Sequence, residues 1–177
     1  MRGNSTERMV LGALFAALTA VCAQVIIPIG TVPVSLSLLP VLLCGALLRP
    51  WDAAAAMAVY ILMGLAGLPV FSNLEGGAGK LLGPTGGYII GYLPCALLTG
   101  LILRKSRGFL RIILAMACGV LVCYAFGTVW FCVSAGQALI SALSVCVLPF
   151  LPFDAGKIAL AAFLSQRLEK AGVRGWN

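Results

Sequence analysis

Asp154 and Lys157 are the only charged residues within an otherwise apolar stretch running from 112 to 166. Their i, i+3 spacing puts both side chains on one face of a helix. Each would cost about 2.5–3.5 kcal/mol at the middle of a bilayer, so the pair needs a reason. Either the two neutralise one another as a structural ion pair, or they face a cavity and bind a polar solute. Both stand within one or two turns of Pro152. The cavity reading predicts an opening on the outer side.

Other residues offer chemistry to complete such a cavity. Gly83-Pro84-Thr85-Gly86-Gly87-Tyr88 leads into an apolar run. Glycines there would let backbone approach a ligand, and the free N–H groups of a helix start favour an anionic group. An ordinary Gly-Pro turn explains the same residues equally well. Pro69-Val70-Phe71-Ser72-Asn73 adds an aromatic face and a side-chain amide, and Thr31-Val32-Pro33-Val34-Ser35 adds a first outer loop. Asn73, Tyr88, Asp154 and Lys157 together supply donors and acceptors, a set better suited to a small, partly apolar molecule than to a bare ion.

These residues have to be positioned by membrane-spanning helices. Of 177 residues, 62% are hydrophobic and 10% are charged, against about 25% charged in soluble domains. Residues 9–48, 53–74, 81–103 and 112–153 carry no charge at all. Such a chain could not cover a soluble surface. The reading is an all-α polytopic membrane protein, one domain over 1–177, with six spans at 9–27, 34–48, 53–68, 86–103, 112–133 and 150–168. Prolines and glycines at 28–33, the turn at 49–52, a Gly-rich loop at 69–85 and a basic turn separate them. Pro149 and Pro152 divide the last apolar region. Residues 138–148 then form a short helix near the outer surface, or continue as part of one long kinked helix.

Orientation follows from Lys and Arg in alternate loops. Arg2, Arg8, Arg49, Arg104, Lys105, Arg107, Arg111, Arg167, Lys170 and Arg174 fall on one side, and Lys80 alone on the other. Both termini are expected in the cytoplasm of a cell-membrane protein. The formal charge of +7 therefore reports topology and implies no nucleic acid. The absence of His and of any CxxC pair removes the usual zinc and haem ligand sets. Seven separated Cys in apolar segments read as small buried hydrophobes. The first apolar segment is too long for a cleaved signal. Gly76-Gly77-Ala78-Gly79-Lys80 lacks the Gly and Ser/Thr of a Walker loop, with Leu74 and Leu81 in those positions.

The first span also carries small residues at helical spacing: Gly12, Ala16 and Ala20 on one face, with Ala13 and Ala17 beside them. Such stripes permit close helix approach, which serves internal packing as readily as partner docking.

Val32-Pro33-Val34-Ser35, Gly67-Leu68-Pro69-Val70-Phe71, Gly83-Pro84-Thr85-Gly86-Gly87-Tyr88, and Pro149-Phe150 followed by Asp154 and Lys157 resemble the BioY family. These are the biotin-binding S components of energy-coupling factor (ECF) transporters. The resemblance covers about residues 9–168, with Ser35 where the family is expected to have Thr. It implies a six-helix fold and capture of biotin from outside. It also implies a transmembrane coupling protein and two ATPase subunits as partners, with no cofactor here and ATP used only by those partners. Carried over, Asp154 and Asn73 would hydrogen-bond the ureido ring, and Lys157 and Tyr88 would contact the ring or the valerate carboxylate. Lys80 is a further candidate for that carboxylate, Phe71 would pack on the bicycle, and Ala13 and Ala17 would dock on the coupling protein. A solitary importer, or an S component for a related vitamin, would need the same pocket. An enzyme is not expected: no His is present, and no Ser lies one helical turn from Lys157. A scaffold would not need an intramembrane Asp and Lys beneath a Gly-rich loop.

Overall fold

The computed structural model describes residues 5–27, 34–104, 106 and 108–173. The expected loop residues Thr31, Val32 and Pro33, and the cations Arg2, Lys105, Arg107 and Arg174, lie outside them. Among the described residues the chain forms eight α-helices: α1 (Ser5–Ala23), α2 (Leu38–Leu47), α3 (Pro50–Leu65), α4 (Ala78–Leu82), α5 (Gly86–Leu103), α6 (Phe109–Ala135), α7 (Leu139–Cys146) and α8 (Leu151–Lys170). Helices α1, α5 and α6 are long and apolar enough to cross a membrane. Helices α7 and α8, bent by 54° at their break, pass together as a fourth.

Most helix ends follow from local chemistry. Pro50 opens α3, where its missing N–H costs nothing. Gly67, at φ 94°, closes that helix. Its N–H reaches the Gly64 carbonyl while Leu68 N–H reaches that of Met63, a Schellman cap. Gly172 ends α8 the same way, with bonds to Glu169 and Leu168. Gly136, at φ 63°, stops α6 after 27 residues, which makes that helix longer than the expected 112–133. Helix α5 has the bounds expected of the fourth span.

Three expectations are corrected. The tight turn at 49–52 is largely helix, because Pro50 already opens α3, which ends at Leu65 and not at 68. The first span does not continue to residue 27: α1 stops at Ala23, and Ile26–Ile27 (β1) pairs antiparallel with Val34–Ser35 (β2). The β-branched run Val25-Ile26-Ile27 fits a strand, and the pairing shortens the second helix, which starts only at Leu38. The Gly-rich loop is also less irregular than expected. It contains a 3₁₀ turn at Ser72–Leu74 and the five residues of α4. The break in the last apolar region falls at 147–150, so 139–146 is a separate helix set at an angle to α8.

Helix α2 holds the centre of the bundle. Val41, Leu42 and Cys44 have no exposed surface, and α1, α3, α5, α6 and α8 all pack on it. Helices α5 and α6 cross closely because glycines line the contact. A Cβ on Gly91 would come within 3.2 Å of Cys123, and one on Gly119 would meet Thr99 and Cys95. The first helix divides its small residues between two surroundings. Gly12 and Ala16 are buried, Gly12 facing Ala56 of α3, whereas Ala13 and Ala17 are exposed.

The two ends of the bundle differ. At one end Arg8 lies 3.6 Å from Asp52 and Gly100 packs on Pro50, bringing the start of α1, the start of α3 and the end of α5 together. At the other end the starts of α5 and α8 meet the end of α6, the β-hairpin and the 66–85 segment. The chemistry is gathered there.

Candidate functional site

A cavity opens at this second end, with Ser35 of β2, Lys80 of α4, Tyr88 and Tyr92 of α5, Tyr124 of α6, and Asp154 and Lys157 of α8 in its wall. Leu38, Ile89, Cys123 and Phe150 supply apolar surface between them. Its ionic base forms in the first two turns of α8. Pro152 starts that helix without loss of a bond, and the Asp154 carboxylate gains from the positive helix end.

Asp154 and Lys157 are 4% and 9% exposed, so every polar atom there needs a partner. Lys157 Nζ donates to Asp154 Oδ1 at 2.7 Å and to the Ser35 carbonyl at 2.7 Å. Tyr124 Oη donates to Asp154 Oδ2 at 2.5 Å. The carboxylate is thus held from both sides, and the ammonium is tied to a strand far away in sequence. The hydroxyls of Ser35, Ser37 and Tyr92 continue the network at 2.6 Å each. Tyr88 Oη donates to the Cys146 carbonyl, fixing its ring between α5 and α7. The base is a paired, net-neutral centre with aromatic walls. It suits a neutral polar ring carrying both donors and acceptors.

The mouth is different. Lys80 pairs with Glu75 at 2.8 Å, and Trp130 Nε1 caps the Gly83 carbonyl at 3.0 Å. The glycines of Gly83–Tyr88 serve packing here. A Cβ on Gly86 would run into the Leu81 carbonyl, and one on Gly87 into the Trp130 side chain.

The structure therefore brings together Tyr88, Lys80, Asp154 and Lys157. It does not bring Phe71 or Asn73 into the cavity wall. Phe71 has no exposed surface: its ring lies over Gly64 and meets Tyr60 edge-on at 5.6 Å. That is a core position beneath the loop. Asn73 is exposed on the 3₁₀ turn with φ 65°. Tyr92, Tyr124, Ser37 and Ser72 were not singled out from sequence. The i, i+4 spacing of Tyr88 and Tyr92 was a usable signal; a single tyrosine within an apolar helix gives none about which way it faces.

Residues 1–174 match the BioY family. The chain belongs to that family. Among BioY relatives, the biotin transporter BioY of Thermotoga maritima is 36% identical over 167 residues, 94% of this chain and 98% of that protein. The probable biotin transporter BioY of Pyrococcus horikoshii is 38% identical over 159 residues, 90% and 94% of the two chains. The crystal structure of the S-component for biotin from an ECF-type ABC transporter superposes with a TM-score of 0.89. It is 28% identical, and the match covers 96% of this chain and 95% of that one. BioY proteins are thus named as transporters and not as enzymes.

Within this BioY chain the Tyr124–Asp154 bond is a testable part of the site. Tyr124→Phe keeps the ring and leaves Asp154 Oδ2 without its donor. A bond to a buried charge contributes about 1–2 kcal/mol, so the midpoint of thermal unfolding in detergent should fall by roughly 2–8 °C. An unchanged midpoint would show that the carboxylate does not depend on the phenol.

Proposed function

We propose that this chain is the membrane-embedded biotin-binding S component of an ECF-type importer. The observation that carries the reading is the buried, paired Asp154–Lys157 centre beneath a cavity with tyrosine walls, in a chain of the BioY family. The ureido ring of biotin offers two N–H donors and one carbonyl acceptor, which match a carboxylate flanked by an ammonium and a phenol. The rings of Tyr88, Tyr92 and Tyr124 line a path for the apolar bicycle. The valerate carboxylate would then lie toward Lys80 at the mouth, exchanging with Glu75. Asn73 is proposed to join from the exposed turn on ligand binding, and Phe71 to support that turn from below.

The chain would act as one domain, with α1, α2, α3, α5, α6 and α8 as its six spans. Ten cations on one side against one on the other favour cytoplasmic termini and a cavity open to the outside of the cell membrane. The exposed Ala13 and Ala17 are the surface offered to a coupling protein, and two ATPase subunits would supply the only ATP-dependent step.

Titration of the purified chain with biotin, without nucleotide, tests the reading. Saturable binding is expected, stronger than for dethiobiotin and absent for riboflavin and thiamine. Tighter binding of either vitamin would reassign the substrate. Uptake in cells with and without the coupling module separates an ECF component from a solitary importer.

A further inference from the structure

The segment 71–75 is strained and held from outside itself. Asn73 and Leu74 lie consecutively in the left-handed region, at φ 65° and 56°, which Asn tolerates but which is unfavourable for a leucine unless the surroundings impose it. Gln24, half-buried just beyond the end of α1, supplies much of that imposition. Its Nε2 donates to the Phe71 carbonyl at 3.0 Å and to its own helix at the Ala20 carbonyl at 3.2 Å. Its Oε1 accepts from Leu74 N–H at 2.9 Å. One amide therefore spans the turn at both ends and ties it to α1. The turn in turn presents Ser72 to the cavity, and Glu75 to Lys80 at its mouth.

We infer that Gln24 is a positioning residue for ligand capture: it holds the 71–75 turn in the left-handed form that sets the rim of the cavity, without touching the ligand. This rests on the biotin-binding reading. A leucine at 24 has similar volume and none of the three hydrogen bonds, so the turn would relax toward ordinary backbone angles and carry Ser72 and Glu75 with it.

The experiment measures biotin affinity and thermal midpoint for the whole detergent-solubilised chain as wild type, Gln24→Leu, Gln24→Glu and Gln24→Leu/Leu74→Gly. Gln24→Leu should weaken biotin at least tenfold. Gln24→Glu, which keeps the acceptor for Leu74 N–H and loses the donor, should fall between it and wild type. Glycine adopts positive φ readily, so Leu74→Gly should recover at least threefold of the affinity lost in Gln24→Leu. A residue that only stabilises the bundle would not show that rescue. Wild-type affinity in both single variants, or a loss that Leu74→Gly leaves unrepaired, overturns the inference. If Gln24→Leu does not fold, wild-type affinity in Gln24→Glu overturns it alone. Absence of biotin binding by the wild-type chain overturns the functional reading and this inference together, an outcome distinct from the others.

Discussion

Asp154→Ala is expected to weaken biotin binding at least thirtyfold while leaving a protein that still inserts and folds. In the intact site the buried carboxylate accepts from Lys157 and Tyr124. Truncating one partner of a buried, hydrogen-bonded charge pair costs about 2–5 kcal/mol, or roughly 30- to several-thousand-fold in affinity. The same truncation strands the Lys157 ammonium against a single carbonyl, which lowers the stability of the chain. A second variant separates the two contributions. Asp154→Asn/Lys157→Met removes both charges together, so it should recover thermal stability relative to Asp154→Ala and still fail to bind. If the pair were only a structural neutralisation, the double variant would bind biotin as the wild type does. That result would move the site elsewhere.

Gly127→Ala is the second large effect, and it acts by volume. The Tyr88 ring lies directly on Gly127, and a Cβ there would overlap the ring carbons. Tyr88 is anchored through its hydroxyl to the Cys146 carbonyl, and its ring lines the cavity. The added methyl therefore has to push the ring into the ligand space or spread α5 from α6. Overpacking of this kind costs about 1–3 kcal/mol of stability, and biotin affinity should fall at least tenfold. Gly119→Ala is the control on the same helix. It meets Thr99 and Cys95, which do not line the cavity, so it should lower the unfolding midpoint with little change in affinity. Equal affinity in both alanine variants would show that the Tyr88 ring does not shape the ligand space.

Much of this arrangement was legible in the sequence, for identifiable reasons. Proline acts on the backbone locally, so Pro149 and Pro152 marked a break in the last apolar region that the structure retains, and Pro50, expected within a turn, opens α3 instead. The i, i+3 spacing of Asp154 and Lys157 already placed them on one face, and they do form a bond. The end of α1 was misread because an apolar β-branched run is compatible with helix or strand. The choice for Ile26–Ile27 came from pairing with Val34–Ser35, a partner that local propensity does not see. Phe71 was read as a ligand-facing ring for a related reason. An aromatic in a polar loop looks available, and only the notch at Gly64 shows that it turns inward.

By itself the sequence determined the membrane class, the helical architecture and the one place where paired charge enters an apolar span. These depend on composition and short-range spacing, which survive in any folded arrangement. Tertiary structure alone decided which neutral groups join that pair. Tyr124 and Tyr92 stand on helices whose outward-facing and core-facing sides are both apolar, so periodicity does not orient them, and Ser37 lies in the turn before α2. It also divided one alanine-rich helix into the buried Gly12 and Ala16 and the exposed Ala13 and Ala17. Which face of a membrane helix is inside depends on the neighbour it packs against, and no residue carries that information alone.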